Sequence, residues 1–460
     1  MKLYDSSDFG LAIRNRRKEL HYTQSTLAEL TGFSISYISD LERGKPTAEL
    51  EKAIHLANIL GMDIIADIYL STPDCRPISI SLPIEKKHFS PEETKCFFEG
   101  LLPEGFTRRC VAERLCADES DYLTLLSVLG SECLGAIKIV DPINGEIKAA
   151  YRPLEDHEIT ALAAEGASES AEFVSKSHLS LTGASGKVGL YYDYEKHQWY
   201  LPIGDAPSTH IIKQSHVRLK RIVANEQLCL LTAKNVGIDV PNSFILQLNG
   251  SDDADILFAT ERYDRKMQDS KRMLNHMPVP YRLHQEDFSQ ALGIATINKY
   301  EKNGQHYLKR MFDTIRKNCS DPLHDQLKLW DLCVFNYLIG NTDNHIKNVS
   351  LLYSEDLRSI HIAPAYDIVS TVVYERSTEN MAFSIDGIYD IRQISRDHFA
   401  NEAKLCGLGA KMALRRFDDM VDKFADALNH ATNDLDNLGF HDARSLSHQI
   451  LDKGGIHHYI

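Results

Sequence analysis

Asp343 and Asn348 stand five positions apart in Gly340-Asn-Thr-Asp-Asn-His-Ile-Lys-Asn348, directly after the apolar run WDLCVFNYLI. That offset lets one turn of chain aim a carboxylate at a substrate hydroxyl and an amide oxygen at a Mg²⁺ ion. Between them, Lys347 can neutralise a transferring phosphoryl group and His345 can hold the loop. A second carboxylate, Asp367, follows in Ala363-Pro-Ala-Tyr-Asp-Ile-Val369, where it is expected to emerge from an apolar strand. Two carboxylates and one amide form a hard oxygen donor set of the kind Mg²⁺ takes. The chemistry these residues can do together is phosphoryl transfer from a nucleotide.

Two upstream segments complete that reading. In Ser180-Leu-Thr-Gly-Ala-Ser-Gly-Lys187 the residues Thr182, Gly183, Ala184, Ser185 and Gly186 are small, so backbone N–H groups can approach phosphate oxygens ahead of Lys187. The spacing is not GxxxxGK[ST], and by itself such a run is an ordinary tight turn. Lys213 ends the strand-like THIIK, and Glu226 lies in the helical run VANEQLCLLTAKNVG. A strand lysine paired with a helix carboxylate is how protein kinases hold ATP phosphates. The Asp343-to-Asn348 offset matches the HRDxxxxN loop of those enzymes, and Asp367 stands where they keep the metal-binding Asp of DFG.

The segments LTGASGK, THIIK, ATERYDR (259–265), LIGNTDNHIKN and PAYDIVS resemble the HipA-type serine/threonine kinases, over roughly residues 76–430. The resemblance implies that Glu261 and Tyr263 form the hinge that holds adenine and that Asp343 is the catalytic base. It implies Asn348 and Asp367 as Mg²⁺ ligands, with ATP held further by Lys187, Lys213 and His345. Ser180 matches the residue that family members autophosphorylate, an event that ejects the phosphate loop and switches the kinase off. Ser185, followed by Gly186, stands where the family usually has a glutamine after Gly-Ala, so this loop departs furthest from the pattern. Phe98, Leu102-Pro103, Gly130 and Gly135-Ala136 resemble the family's N-terminal subdomain. Within it ISISLPIE (78–85) and GAIKIV (135–140) read as strands and 106–117 as helix. The family's target, an aminoacyl-tRNA synthetase, is the implied protein substrate.

The first seventy residues are of another kind. Ile13, Leu20, Leu27, Leu30, Ile38, Leu41, Ile54, Leu56 and Leu60 give short amphipathic helices. Thr23 can cap a helix that begins at Gln24 and ends at Gly32; Ser34 can cap the next, 35–42. Two short helices around a glycine turn make a helix-turn-helix. TQSTLAELTGFSISYISDLERGKP resembles the lambda-repressor-like family, which implies Gln24 on a phosphate and Ile35, Ser36, Tyr37 and Asp40 facing the major groove. Residues 1–70 hold eight Lys/Arg and ten Asp/Glu. Its positives cluster, with Arg14, Arg16, Arg17 and Lys18 before the motif and Arg43 and Lys45 after it, forming an expected phosphate-contacting rim. So weak a local charge calls for a homodimer that reads two half-sites of an operator.

The fold class that positions these parts is α+β multidomain. An all-α helix-turn-helix domain (1–72) precedes an N-terminal subdomain (73–165) and a kinase core (166–460), whose small mixed N-lobe runs to about 265 and whose C-lobe is mainly helical. A length of 460 residues suits two or three domains, and 43% hydrophobic with 25% charged residues is ordinary globular composition. The net charge of −14 argues against non-specific nucleic-acid binding by the chain as a whole. Nine cysteines without a CxxC pair suit reduced thiols, and no apolar run approaches the ~18 residues of a membrane span, so a cytoplasmic chain is expected. His457-His458 is expected at a frayed tail. Two rival readings remain: a non-enzymatic regulator that senses nucleotide through a kinase fold, and a kinase of lipids or small molecules, whose loops GNTDNHIKN also resembles.

Overall fold

The computed structural model describes residues 6–45, 52–53, 56–57, 60, 62, 77–130, 132–139, 148–165, 187–215, 219–267 and 272–460. Ser180 and the loop 182–186 lie outside these. The chain forms two compact units, the first from Met1–Cys75, Glu85–Phe89 and Asp141–Gly145 and the second from Arg76–Ile84, Ser90–Val140 and Glu146–Ile460. Among the described residues no helix is long and apolar enough to cross a membrane, and no disulfide joins any two of the eight described cysteines.

The first unit holds α1 (Ser6–Glu19), α2 (Gln24–Thr31) and α3 (Ile35–Glu42), and the last two have the limits their caps dictate. Thr23 Oγ1 accepts Thr26 N–H at 3.0 Å, and Ser34 Oγ accepts Tyr37 N–H at 3.1 Å. Gly32 closes α2 with φ 73°, a left-handed conformation that suits glycine. Ile13, Leu27, Ile38, Leu41, Leu56 and Leu60 pack into one apolar core. Arg17 corrects an expectation. It is buried, with Nε 2.5 Å and Nη2 2.9 Å from the two carboxylate oxygens of Glu42 and Nη1 donating to Tyr22 O at 2.7 Å. Its guanidinium is therefore a structural cation between α1 and α3, and it does not belong to a phosphate-contacting rim.

The second unit begins its kinase-like lobe with a six-stranded antiparallel sheet, order β1-β3-β2-β4-β6-β5. The strands are β1 (Ala150–Pro153), β2 (Lys187–Asp193), β3 (Gln198–Ile203), β4 (His210–Gln214), β5 (Ser243–Gln247) and β6 (Ile256–Glu261). One face buries Val188, Leu190, Trp199, Leu201, Ile212 and Leu257 together with Leu154, Ile159 and Leu162, the last two from the helix Asp156–Glu165. The buried helix Ile222–Asn235 packs on β5 and β6.

The helical lobe is built round Pro322–Ile339, with Trp330, Phe335, Tyr337 and Leu338 all at 0% exposure. Asp321 caps its start, with Pro322 in the first turn. Gly340 ends it at φ 71°, and a Cβ there would meet Val372 Cγ2 at 2.3 Å, so both conformation and space require glycine. Gly340 O in turn accepts the N–H groups of Thr371 and Val372. This joint fixes the loop after the helix against the segment after Asp367. The C-terminus is docked: Ile456 is fully buried and Tyr459 packs on Phe417 at 5.3 Å, so the expected fraying of His457-His458 is corrected.

Residues 78–84 and 135–139 are turns and irregular chain, contrary to the strands expected there. At the first, side chain and backbone bind elsewhere: Glu286 accepts from Ser79 Oγ at 2.5 Å, from Ile80 N–H at 3.0 Å and from the Tyr353 hydroxyl. Burial of the Glu286 carboxyl pushes its pKa up to about 7, against these donors. The folded protein then holds a proton that the unfolded chain has lost between the ordinary value of 4.5 and about 7. That contribution to stability is fully present below the window and is lost as pH rises through it. Urea denaturation should therefore show stability falling from about pH 5 to 7, with a shallower fall in Glu286→Gln. An identical slope in that variant would place the proton on another group.

Candidate functional site

Lys187 on β2 and Lys213 on β4 lie directly opposite each other in the register. Like charges at such a pair repel unless an anion sits between them. The anion here is Asp367: its Oδ2 is 2.8 Å from Lys187 Nζ, and its Oδ1 contacts Lys213 Nζ. Lys213 Nζ also reaches Glu226 Oε1 at 2.5 Å, the expected strand-lysine to helix-carboxylate pair. Burial pulls the Lys213 ammonium down, but Asp367 and Glu226 outweigh it and hold it well above its ordinary value. Burial likewise pushes Asp367 up, and the two lysines outweigh it and keep the carboxylate fully ionised.

Asp367 does not emerge from a strand. The strand Ile360–Ile362 ends five residues earlier, and Asp367 has φ 54°, a left-handed conformation strained for a non-glycine residue. Strain of this kind persists where the surroundings over-determine it, which is common at functional sites.

The catalytic-loop candidate is wound as expected. Ile346–Asn348 form a short 3-10 turn, His345 N–H donates to Asp343 O at 2.8 Å, and Asn348 Nδ2 donates to the same carbonyl at 3.0 Å. Asn348 thus spends its amide nitrogen on the loop and keeps its amide oxygen for another partner. The Asp343 side chain is exposed, forms no ion pair with a described residue, and accepts a hydrogen bond from the Tyr300 hydroxyl. Lys347 is buried at the base of the loop, with Nζ 3.1 Å from Asp287 Oδ2, 3.4 Å from Glu104 Oε1 and 3.4 Å from Gly100 O. His345 is buried, and burial depresses its pKa to about 3, so the ring is neutral; its Nδ1 has no hydrogen-bond partner.

Lys187, Lys213, Glu226, Glu261, Tyr263, His345, Lys347, Asn348 and Asp367 all line one cleft, a concave site with convergent polar groups of the kind that binds small molecules. Glu261 ends β6, its carboxylate held by Tyr194 Oη at 2.5 Å and Asn242 Nδ2 at 2.9 Å. Tyr263 stacks on Tyr366 at 5.6 Å, and its hydroxyl donates to Gln285. The neighbouring residues of ATERYDR serve structure. Arg262 and Arg265 form a buried ion cluster with Asp264 and with Glu132 of the N-terminal subdomain. Sequence reading missed Tyr300, Lys299 and Glu104. Glu104 follows directly on Leu102-Pro103, in a run with no chemical pattern of its own, and the other two lie in a segment without periodic pattern.

The oxygen donors of Asn348 and Asp367 suit Mg²⁺, and the unpartnered, buried His345 Nδ1 leaves the cleft a polar atom for a ligand to meet. When bound, Mg²⁺ would draw charge from the oxygens of a transferring phosphoryl group.

On α3, Ile35 and Ser36 are exposed while Ile38 and Leu41 face the core, so the residues expected to read bases include the outward ones. Tyr37 is half-buried against Phe33. Gln24 Nε2 donates to Glu42 at 2.8 Å. Asp40 bridges Arg43 at 2.5 Å and Lys45 at 2.8 Å, so both expected phosphate contacts are tied to a carboxylate.

A small antiparallel lobe with a lysine–glutamate pair, beside a helical lobe carrying an Asp/Asn loop, is a protein-kinase-like fold. Residues 179–428 match the HipA-like C-terminal domain, 66–140 the HipA N-terminal domain and 13–65 a helix-turn-helix. The chain belongs to the HipA family. It is 32% identical over 389 residues to Y4mE of Sinorhizobium fredii, covering 82% of this chain and 88% of that protein. It is 27% identical over 346 residues to the serine/threonine-protein kinase toxin HipA of Shewanella oneidensis, covering 72% and 75%. The fold is that of the Shewanella oneidensis complex of HipA, HipB and operator DNA, with TM-score 0.67, 23% identity and coverage of 83% of this chain and 89% of that one. Over 62 residues the chain is also 40% identical to the HTH-type transcriptional regulator y4mF of Sinorhizobium fredii, covering 13% of this chain and 82% of that protein.

Proposed function

We propose that this chain is an ATP- and Mg²⁺-dependent serine/threonine protein kinase of a toxin–antitoxin system, fused to its own operator-binding domain and acting in the cytoplasm. The observation that carries the reading is the convergence of Lys213–Glu226, Lys187, Asn348 and Asp367 on one cleft, with the exposed Asp343 carboxylate on the adjoining loop. In this reading the two lysines and the loop 182–186 receive ATP phosphates, and the chain at Glu261–Tyr263 borders adenine. Asp343 takes the proton of the acceptor hydroxyl, Asn348 and Asp367 hold Mg²⁺, and Lys347 stands behind the transferring group. Ser180 is the autophosphorylation site. The family supports an aminoacyl-tRNA synthetase as target, its phosphorylation halting translation. Incubating the protein with γ-³²P-ATP and cell lysate tests this: label on a synthetase and on Ser180 is expected, and ATP binding without any transfer would instead mark a nucleotide sensor.

The operator half of the proposal is a homodimer of the helix-turn-helix unit on a palindrome, supported by the exposed Ile35–Ser36 face. Asp40→Asn releases Arg43 and Lys45 from their ion pairs. Affinity for random duplex should rise, and the salt dependence should steepen by roughly 0.9 logarithmic units for each phosphate that a freed cation neutralises. Gel shifts across a salt series check this. An unchanged slope would mean that neither cation meets phosphate.

A further inference from the structure

Glu104 stands at the N-cap of the helix Gly105–Arg114, where a carboxylate can accept a backbone N–H of its own first turn. Its side chain makes no such bond. Instead Oε2 lies 2.7 Å from Lys299 Nζ and Oε1 lies 3.4 Å from Lys347 Nζ. Burial raises the carboxyl's pKa, but Lys347 and Lys299 outweigh it, so Glu104 is ionised. The two lysines adjoin the 343–348 loop at different points of the chain. Lys299 precedes Tyr300, whose hydroxyl donates to Asp343, and Lys347 lies between Asp343 and Asn348.

We propose that Glu104, contributed by the N-terminal subdomain, is a positioning residue of the transfer centre. It fixes the Lys347 ammonium and, through Lys299 and Tyr300, the orientation of the Asp343 carboxylate. The inference rests on the reading of 343–348 as the catalytic loop. A lysine side chain is a point charge on a flexible stem, so a single carboxylate such as Asp287 leaves it free to swing. Asp287 Oδ2, Glu104 Oε1 and Gly100 O all lie within 3.4 Å of Lys347 Nζ, the Glu104 contact being an ion pair with no hydrogen bond on Oε1. On the other arm, Lys299 is held at 15% side-chain exposure beside Tyr300, whose ring packs edge-on to His345 at 5.2 Å. Two cations and two carboxylates balance within this cluster, and neither lysine forms an ion pair with Asp343. The base therefore keeps an oxygen for the acceptor hydroxyl. The subdomain is placed for this by Leu101 and Leu102, both buried, and by Gln290 Nε2 donating to Phe97 O at 3.0 Å.

The test is Glu104→Gln in the full chain, with Glu104→Asp as the conservative variant. Glu99→Gln is the control, because it breaks an ion pair of similar burial in the same subdomain, to Arg108 at 3.0 Å. Phosphate incorporation into the protein's own chain is followed against γ-³²P-ATP concentration, with thermal denaturation of each variant alongside. Glu104→Gln should lower the maximal rate about tenfold or more, with the half-saturating ATP concentration changed less than about threefold. Glu104→Asp should recover part of the rate, and Glu99→Gln should keep it. A Glu104→Gln rate equal to wild type, or a loss matched by Glu99→Gln at equal destabilisation, overturns the positioning role alone. A wild-type chain that transfers no phosphate overturns the kinase reading first and this role with it.

Discussion

Asp367→Asn is expected to remove the Mg²⁺ dependence of nucleotide binding and to lower phosphate transfer by two orders of magnitude or more, on the order of what is lost with a key electrostatic group. The cause is visible without any ligand. Lys187 and Lys213 face each other across β2 and β4, and one carboxylate holds both. An amide there leaves two buried ammonium groups with Glu226 as their counter-ion. Breaking a buried ion pair from one side costs about 3–5 kcal/mol, so the nucleotide-free variant should also melt at lower temperature. ATP added without Mg²⁺ should then stabilise the variant more than wild type, since phosphate oxygens replace the lost negative charge. Calorimetry with and without Mg²⁺, joined to thermal shifts, reads both effects. Equal Mg²⁺ dependence in the two proteins would take Asp367 out of the metal site.

The parts of this account legible in the sequence are those in which a short segment carries its own geometry. Thr23, Gly32 and Ser34 set the limits of α2 and α3 because caps act within a few residues. The spacing from Asp343 to Asn348 likewise closes within one turn. What stayed hidden depends on distant partners. Tyr300 meets Asp343 across 43 residues, and Lys299 meets Glu104 across 195. No local pattern announces either contact. Arg17 was misplaced for a related reason: a basic run before a helix-turn-helix reads as a phosphate rim until Glu42, 25 residues on, claims one member for the core.

The two expected strands failed on side-chain competition. ISISLPIE alternates in polarity, but Ser79 and Ile80 N–H bind the Glu286 carboxylate and the chain turns. In GAIKIV, Gly135 has φ 74° and gives its N–H to Asp264 at 2.7 Å, joining the ion cluster of Arg262, Arg265 and Glu132. Alternation or an apolar run proposes a strand, and a pairing partner has to be available for one to form. These two segments are spent instead on fastening the N-terminal subdomain to the kinase-like core.

Asp343→Asn isolates the chemistry most cleanly. The side chain is exposed, pairs with no lysine, and would still offer an amide oxygen to the Tyr300 hydroxyl, so the loop should keep its shape. What is lost is the acceptor for the substrate proton, a contribution of roughly 10²–10⁴ in rate for a general base. The nucleotide is held by other groups: Lys187, Lys213, Asn348 and Asp367 line the cleft, and Asp343 is not among its walls. The decisive measurement is ³²P transfer from ATP by wild type and Asp343→Asn, with ATP affinity determined by calorimetry on the same samples. With Asp343 as the base, transfer by the variant falls at least about a hundredfold while affinity changes by less than about threefold. Transfer by the variant at a rate near wild type would contradict that role.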